Sequence, residues 1–318
     1  MILYLLAFIG VFILVSAIMP AFLNLAHKLD FTDKPTKRKK HGEPMPLSGG
    51  IAMFVAFTVG FLIFVIYRDP TMPYLLIGAT LIVAVGLVDD YAKSNGKEFP
   101  IWPRLLTKFG SAALLFAGGI RFTGFFNHFT GYYVYLPMWL QFALTILWIV
   151  GLVTVFNFMD GLDGLSGLLA LVAGVTFLIL AIAMGQTESA FLSAVFVAAV
   201  AGFLRFNLPP AKVYMGDSGA YLLGFVLAAI SLQGTFKQAT IVSLAVPILA
   251  MGVPIFDGVL VVAKRIIARQ PAYVADSTSH LHHRLLKRGF TPRAAVLLVF
   301  VISTCLSVAS IFLMLRFR

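Results

Sequence analysis

Charge is scarce in this chain. Asp, Glu, Lys and Arg together make up 12% of its 318 residues, against 60% hydrophobic residues. A soluble domain carries roughly 45–50% apolar and about 25% charged residues. A core of the present composition would lack the polar residues needed to cover its own surface, so an ordinary soluble fold is excluded and the bilayer is the solvent that fits. Cysteine is almost missing too. With Cys305 alone, neither an intramolecular disulfide nor a thiolate zinc cluster can form. No polar stretch between the apolar segments is long enough for a soluble domain, and there is neither a repeat nor a low-complexity tract. The first apolar stretch, Ile2 to Leu25, has no basic residue ahead of it and no small-residue cleavage pattern behind it. It reads as a retained span rather than a signal peptide.

What is present is hydrophobic length. A helix needs about 20 apolar residues to cross the hydrocarbon core, and spans are expected near residues 2–25, 47–67, 73–88, 105–120, 136–156, 165–184, 190–206, 218–233, 240–263 and 294–315. The expected fold is an all-α polytopic membrane protein with about ten transmembrane helices, forming one integral-membrane catalytic domain over residues 1–318. The loop after the first span carries Lys28, Lys34, Lys37, Arg38, Lys39 and Lys40, and the same side receives Lys93, Lys97, Arg104, Lys108, Arg205, Lys212 and the basic residues from Lys264 to Arg293. The other side has only Arg68, Arg121, Lys237, Arg316 and Arg318. By the positive-inside rule the basic side is cytoplasmic and both termini are extracytoplasmic.

Asp and Glu contribute little to topology, yet they also gather on the cytoplasmic side, several at helix mouths. Gly86-Leu-Val-Asp89-Asp90-Tyr91 closes the third span. Two adjacent carboxylates repel unless a cation neutralises them, and neighbouring helical residues point about 100° apart, so both need not touch one ion. A solvated helix end beside Lys93 is the plain alternative. Asn157-Phe-Met-Asp160-Gly-Leu-Asp163-Gly places three oxygen-bearing side chains at three-residue spacing, which brings them to one face of a helical turn. Its glycines allow close approach of the backbone. Hard oxygen ligands suit Mg²⁺ shared with substrate phosphates. Tyr214-Met-Gly-Asp217-Ser-Gly opens the eighth span. Alone, Asp217 would read as an ordinary N-cap; beside two other acidic mouths it reads as part of a metal site.

Two basic segments flank these acids. In His280-Leu-His282-His283-Arg284-Leu, followed by Lys287 and Arg288, the adjacent histidines cannot readily share one ion, and the surrounding cations favour phosphate binding. The run Asp33-Lys34-Pro35 to Lys40-His41 either binds anionic headgroups or forms a cationic rim that gathers substrate phosphates, with Lys34, Arg38 and His41 as its candidates. Asp257 in Pro254-Ile-Phe-Asp257 is an ionisable group within a span, a functional candidate by default, beside a proline that kinks the helix.

In this order, the motifs resemble the polyprenyl-phosphate N-acetylhexosamine-1-phosphate transferase family, from Asp33-Lys34-Pro35 to His280–His283. The form His280-Leu-His-His-Arg-Leu followed by Lys-Arg-Gly-Phe290-Thr-Pro is similar to the N-acetylglucosamine-1-phosphate branch. The branch that takes UDP-N-acetylmuramoyl-pentapeptide shows three consecutive histidines, which Leu281 interrupts here. The resemblance implies a bacterial multi-pass enzyme of the cytoplasmic membrane. Its donor would be a UDP-N-acetylhexosamine, foremost UDP-N-acetylglucosamine, and its acceptor undecaprenyl phosphate, with UMP as product. It also implies Mg²⁺ dependence, with Mn²⁺ as substitute, an initiating role in a polymer such as wall teichoic acid or O-antigen, and compatibility with a homodimer. Membrane lipids are the other partners; no nucleic acid is expected.

On this reading Asp217 is the leading metal ligand, assisted by Asn157. Asp160 and Asp163 position the nucleotide or complete the metal shell, and Asp89 or Asp90 orients the attacking lipid phosphate or accepts its proton. His280, His282, His283 and Arg284 hold donor phosphates. Phosphate monoesters lose their last proton near pH 6, so no strong base is required. A covalent aspartyl-phosphate route is the mechanistic rival. A transporter or lipid flippase is the alternative class, but it would place ionisable groups near the bilayer midplane rather than at one face.

Overall fold

Apolar stretches of span length should be helical, because only a helix satisfies its own backbone groups within lipid. The computed structural model, which describes residues 1–34, 44–127, 132–234, 241–269 and 280–316, is built that way. Its helices are α1 (Ile2–Lys28), α2 (Gly49–Phe64), α3 (Met72–Ser94), α4 (Ile101–Ala117), α5 (Met138–Met159), α6 (Leu165–Ala183), α7 (Thr187–Asn207), α8 (Gly216–Gly234), α9 (Ile241–Ala250), α10 (Gly252–Ile267), α11 (Leu281–Lys287) and α12 (Pro292–Arg316). Among the described residues six of these, α1, α3, α5, α6, α7 and α12, are long and apolar enough to cross a membrane, and α2 is a shorter apolar helix.

The structure differs from the expected pattern where one span is broken and where short elements appear between spans. The run read as one span over 240–263 is two helices, α9 and α10, with Met251 between them at φ −107° and ψ 26°. Pro254 has no N–H to donate and is best accommodated in the first turn of a helix, which is where it stands in α10. Two short hairpins also appear: β1 (Thr32–Asp33) pairs antiparallel with β2 (Met45–Pro46), and β3 (Gly124–Asn127) with β4 (Tyr132–Tyr135).

Packing sorts the helices into centre and rim. On α1, Ala7, Val11, Val15 and Met19 are buried, one residue per turn, while Leu3, Leu5, Leu6, Ile9 and Ile13 are exposed. The outer face of α12 exposes Leu297, Val301, Val308 and Phe312. Soluble proteins rarely expose apolar stripes of this extent, and lipid tails are the solvent that suits them. By contrast, α8 is buried from Ser218 through Gly234 and touches α2, α3, α5, α6 and α7. It is the axis of the bundle.

The start of α8 meets the ends of α3 and α5 and the start of α2. Gly49 N–H and Gly50 N–H donate to the carbonyls of Tyr214 and Met215 at 3.0 and 3.1 Å, and Tyr214 N–H donates to Pro46 O at 2.9 Å. The β1–β2 hairpin is thereby tied to the segment that opens α8. At the other end of α8, Gln186 Nε2 donates to Gly234 O at 2.8 Å. Thr145 near the start of α5 accepts from Phe122 N–H at 3.1 Å, so the β3–β4 hairpin belongs to that opposite end.

Candidate active site

The first turn of a helix leaves N–H groups without intrahelical partners. In α8 those donors are met from a different helix. Asp90 Oδ1 accepts from Asp217 N–H at 2.7 Å, and its Oδ2 accepts from Ser218 N–H at 3.1 Å and from Ser218 Oγ at 2.8 Å. Asp90 thus does the capping that Asp217 might have done for itself. The contact requires Gly216, which has φ +68° and where a Cβ would overlap the Asp90 carboxylate.

Relieved of capping, the Asp217 side chain faces outward from the turn. Its Oδ2 accepts from Lys93 Nζ at 2.6 Å and its Oδ1 from Asn157 Nδ2 at 2.9 Å, with Tyr221 OH at 3.5 Å from Oδ2. Asp89, one residue before Asp90 and so turned about 100° around α3, points to the same place. Its carboxylate is fully buried and is paired with Arg104 Nε at 3.3 Å and Lys93 Nζ at 3.6 Å. Neither Asp89 oxygen has a hydrogen-bond donor. Lys108, buried on α4, approaches Thr154 Oγ1 at 3.3 Å and sits 4.4 Å from the centre of the Tyr221 ring. The result is two facing carboxylates and an amide, ringed by Lys93, Arg104 and Lys108.

The other two aspartates of the 157–164 motif are turned to neighbouring groups. Asp160 Oδ1 accepts from Ser166 Oγ at 2.7 Å, and Asp163 Oδ2 accepts from Ala211 N–H at 3.1 Å. Burial pushes the Asp160 carboxyl up to about 6; the Ser166 hydrogen bond opposes that rise and the Asp217 charge adds to it. Asp160 is close enough to Asp217 to sense its charge, whereas Asp163 fastens the α5–α6 loop to the segment before α8.

The histidine segment reaches the same loop. Asp257 on α10 is buried; its Oδ2 meets His280 Nδ1 at 2.8 Å, and its Oδ1 accepts from Leu281 N–H at 2.8 Å and from Arg284 Nη2 at 3.3 Å. It thereby anchors α11 to α10. His282 is buried with both ring nitrogens lacking a hydrogen-bond partner among the described residues. Its ring occupies the place a Cβ would take on Gly161, so only glycine admits it there. Burial pulls the His282 imidazole down to about 3, with the neighbouring His283 and His280 acting in the same direction. His283 lies against it, ring centres 4.1 Å apart.

The structure therefore brings Asp89, Asp90, Asn157, Asp160 and Asp217 together, and links His280, His282 and Arg284 to them through Asp257 and Gly161. Lys34 pairs with Asp30 at 2.6 Å on an exposed surface; Arg38 and His41 lie outside the described residues. Sequence reasoning passed over Arg104, Lys108 and Tyr221 as site residues and treated Lys93 only as a neighbour. The first two stand four residues apart at a helix mouth, and Lys93 and Tyr221 follow Asp89 and Asp217 by four, a spacing that places side chains on one helix face.

Among the described residues no group of three or more His, Cys, Asp or Glu is placed to hold a metal ion. Mg²⁺, however, is usually bound by one or two carboxylates together with substrate phosphates and water. The facing carboxylates of Asp89 and Asp217, one of them without a hydrogen-bond donor, fit that demand.

Apolar outer faces and a charged, oxygen-rich site at one end of the bundle are those of a polytopic membrane protein. The sequence profile of glycosyl transferase family 4 matches residues 72–235, the stretch holding Asp89, Asp90, Asn157 and Asp217. A Bacillus subtilis protein described as a probable undecaprenyl-phosphate N-acetylglucosaminyl 1-phosphate transferase is 35% identical over 307 residues, 96% of this chain and 84% of its own length. A decaprenyl-phosphate N-acetylglucosaminephosphotransferase of Mycobacterium tuberculosis strain H37Rv is 30% identical, covering 87% of this chain and 74% of its own length. The undecaprenyl-phosphate alpha-N-acetylglucosaminyl 1-phosphate transferase of Escherichia coli K12 is 26% identical, covering 92% and 78%. The chain belongs to glycosyl transferase family 4, within the branch of the undecaprenyl-phosphate N-acetylglucosaminyl 1-phosphate transferases.

Proposed function

We propose that this protein transfers N-acetylglucosamine-1-phosphate from UDP-N-acetylglucosamine to undecaprenyl phosphate at the cytoplasmic membrane face. The products are undecaprenyl-diphospho-N-acetylglucosamine and UMP, and the reaction would open the assembly of a cell-envelope polymer. The observation that carries this reading is the pair of facing carboxylates, Asp89 and Asp217, ringed by Lys93, Arg104 and Lys108 at one end of a lipid-facing bundle. Both substrates are anionic, so the site has to neutralise phosphate charge. It also has to be open to lipid on one side and to a nucleotide on the other.

In the reaction an oxygen of the lipid phosphate attacks the sugar-bearing phosphorus of the donor, and the bond from that phosphorus to the UMP oxygen breaks. Mg²⁺, held by Asp217 with Asn157 assisting, would supply charge neutralisation across the pyrophosphate and on the departing UMP. Asp90 keeps the first turn of α8, and with it Asp217, in place. Arg104 and Lys108 offset the negative charge brought in by the substrates. The lipid phosphate is largely without its last proton at neutral pH, so no base is obligatory, and Asp89 acts by holding Lys93 and Arg104 where that phosphate is oriented for attack. His282, neutral at working pH, offers its one ring N–H to a donor phosphate from the side of Gly161.

The test is an assay of purified protein in detergent. UMP should be released from UDP-N-acetylglucosamine only when both Mg²⁺ and undecaprenyl phosphate are present, and Asp217→Ala should lower the rate on the order of a hundredfold or more. Full activity in Asp217→Ala would overturn the metal assignment. Appearance of labelled UMP in UDP-N-acetylglucosamine without lipid would overturn the single-step path.

A further inference from the structure

Two carboxylates that face each other at the edge of a bilayer need a cation between them. In this structure that cation is the ammonium of Lys93. Its Nζ stands 2.6 Å from Asp217 Oδ2 and 3.6 Å from Asp89 Oδ2, so it bridges the pair. Asp89 depends on such neutralisation, since it is fully buried and neither of its oxygens accepts a hydrogen bond. A divalent ion held by Asp217 would compete with the Lys93 ammonium for that carboxylate.

The three basic residues around the pair are not equivalent. Arg104 pairs with Asp89 at 3.3 Å. Lys108 is buried against Thr154 and the Tyr221 ring. Lys93 is in the last turn of α3, its side chain 42% exposed, on a flexible four-carbon stem. It can leave the carboxylates without unpacking a helix.

We propose that Lys93 is an internal counter-cation that occupies the divalent-ion position of the substrate-free enzyme and swings out when the ion enters. This rests on the reading of Asp217 as the metal ligand. Lys93 relieves the repulsion between Asp89 and Asp217 while the site is empty of metal, and so lets the bundle close there. Once displaced, its ammonium remains at the mouth of the site, where the donor pyrophosphate arrives. Metal and nucleotide sugar then favour each other's binding, because the phosphates retain the lysine that the metal expels.

The experiment measures Mn²⁺ binding to substrate-free protein in detergent by electron paramagnetic resonance of the free ion. Lys93→Met should bind Mn²⁺ about tenfold more tightly than the unaltered protein, since one competing charge in contact with the ligand is gone. Lys97→Met removes the same charge from an exposed residue on the same side and should change affinity by no more than about twofold. Equal or weaker binding in Lys93→Met, with binding still dependent on Asp217, overturns the exchange and leaves the metal site standing. Unchanged binding in Asp217→Asn overturns both.

A second measurement needs no variant. In the unaltered protein, acetylation of Lys93 by acetic anhydride, read by mass spectrometry, should rise several-fold when Mg²⁺ is added without substrate. No change in Lys93 reactivity, where Mg²⁺ binding is shown in parallel, overturns the proposal.

Discussion

A buried carboxylate costs several kcal/mol unless its charge is held, and three neighbouring aspartates meet that cost in different ways. Asp90 accepts three hydrogen bonds from the first turn of α8, Asp217 accepts from Lys93 and Asn157, and Asp89 relies on ion pairs alone. Their substitutions should therefore separate. Asp90→Asn turns an amide N–H₂ toward backbone donors and should lower stability by roughly 1–3 kcal/mol, seen as a fall in the thermal midpoint. Asp89→Asn removes no hydrogen bond and should shift the midpoint much less, while activity falls in both. Equal midpoints for the two variants would contradict the division of roles. Gly216→Ala should behave like the worse of them, because it both strains a positive φ and pushes on Asp90.

At the scale of elements, α11 has only seven residues and is too short to be stable unaided. It holds its place through Asp257, which receives its first N–H, the His280 ring and Arg284. Asp257→Ala should loosen the histidines and raise the KM for the UDP-sugar about tenfold with a smaller effect on kcat, and Asp257→Asn should fall between. Loss of kcat alone would argue that Asp257 meets the substrate directly. His282 on the same element adds a pH dependence. Its folded pKa is about 3, below the ordinary imidazole value near 6.5, so the unfolded chain takes up the proton first. The contribution to stability is complete above pH 6.5 and is lost progressively as pH falls toward 3. At pH 5.5 the loss is roughly 1.4 kcal/mol. His282→Gln should flatten the fall in thermal midpoint between pH 7.5 and 5.5; an unchanged slope would place the titrating group elsewhere.

For the whole molecule, the bundle has two unlike ends. One carries the acidic site and the exposed Lys97; the other carries the β3–β4 hairpin with exposed Tyr132 and Tyr135. Phenolic rings favour the membrane–water interface, and the hairpin is placed to sit there. The proposed cytoplasmic position of the site is tested with a membrane-impermeant maleimide. In a Cys305→Ser background, which removes the single cysteine, Lys97→Cys should be labelled only from the cytoplasmic side and Tyr132→Cys only from the opposite one. Reversed labelling would invert the topology.

Hydropathy and residue type are written along the chain, and they were enough to identify lipid as the solvent and helices as the elements, and to single out Asp89, Asp90, Asn157, Asp160 and Asp217, which the structure gathers at one end of the bundle. A hydrophobic run reports its solvent whatever its neighbours are, so these features needed no tertiary information. The break at Met251 was half visible, since Pro254 announced a disturbance but not that one expected span becomes two helices. The division of labour among the aspartates was not visible, nor was the part of Lys93. The Lys93–Asp217 bond joins residues 124 apart in sequence, and Asp90 caps a helix 127 residues further on. Only the packing of α3, α5 and α8 decides which oxygen faces a helix start and which faces a cation, because hydrogen bonds and ion pairs depend on distances of a few tenths of an ångström that no periodicity encodes.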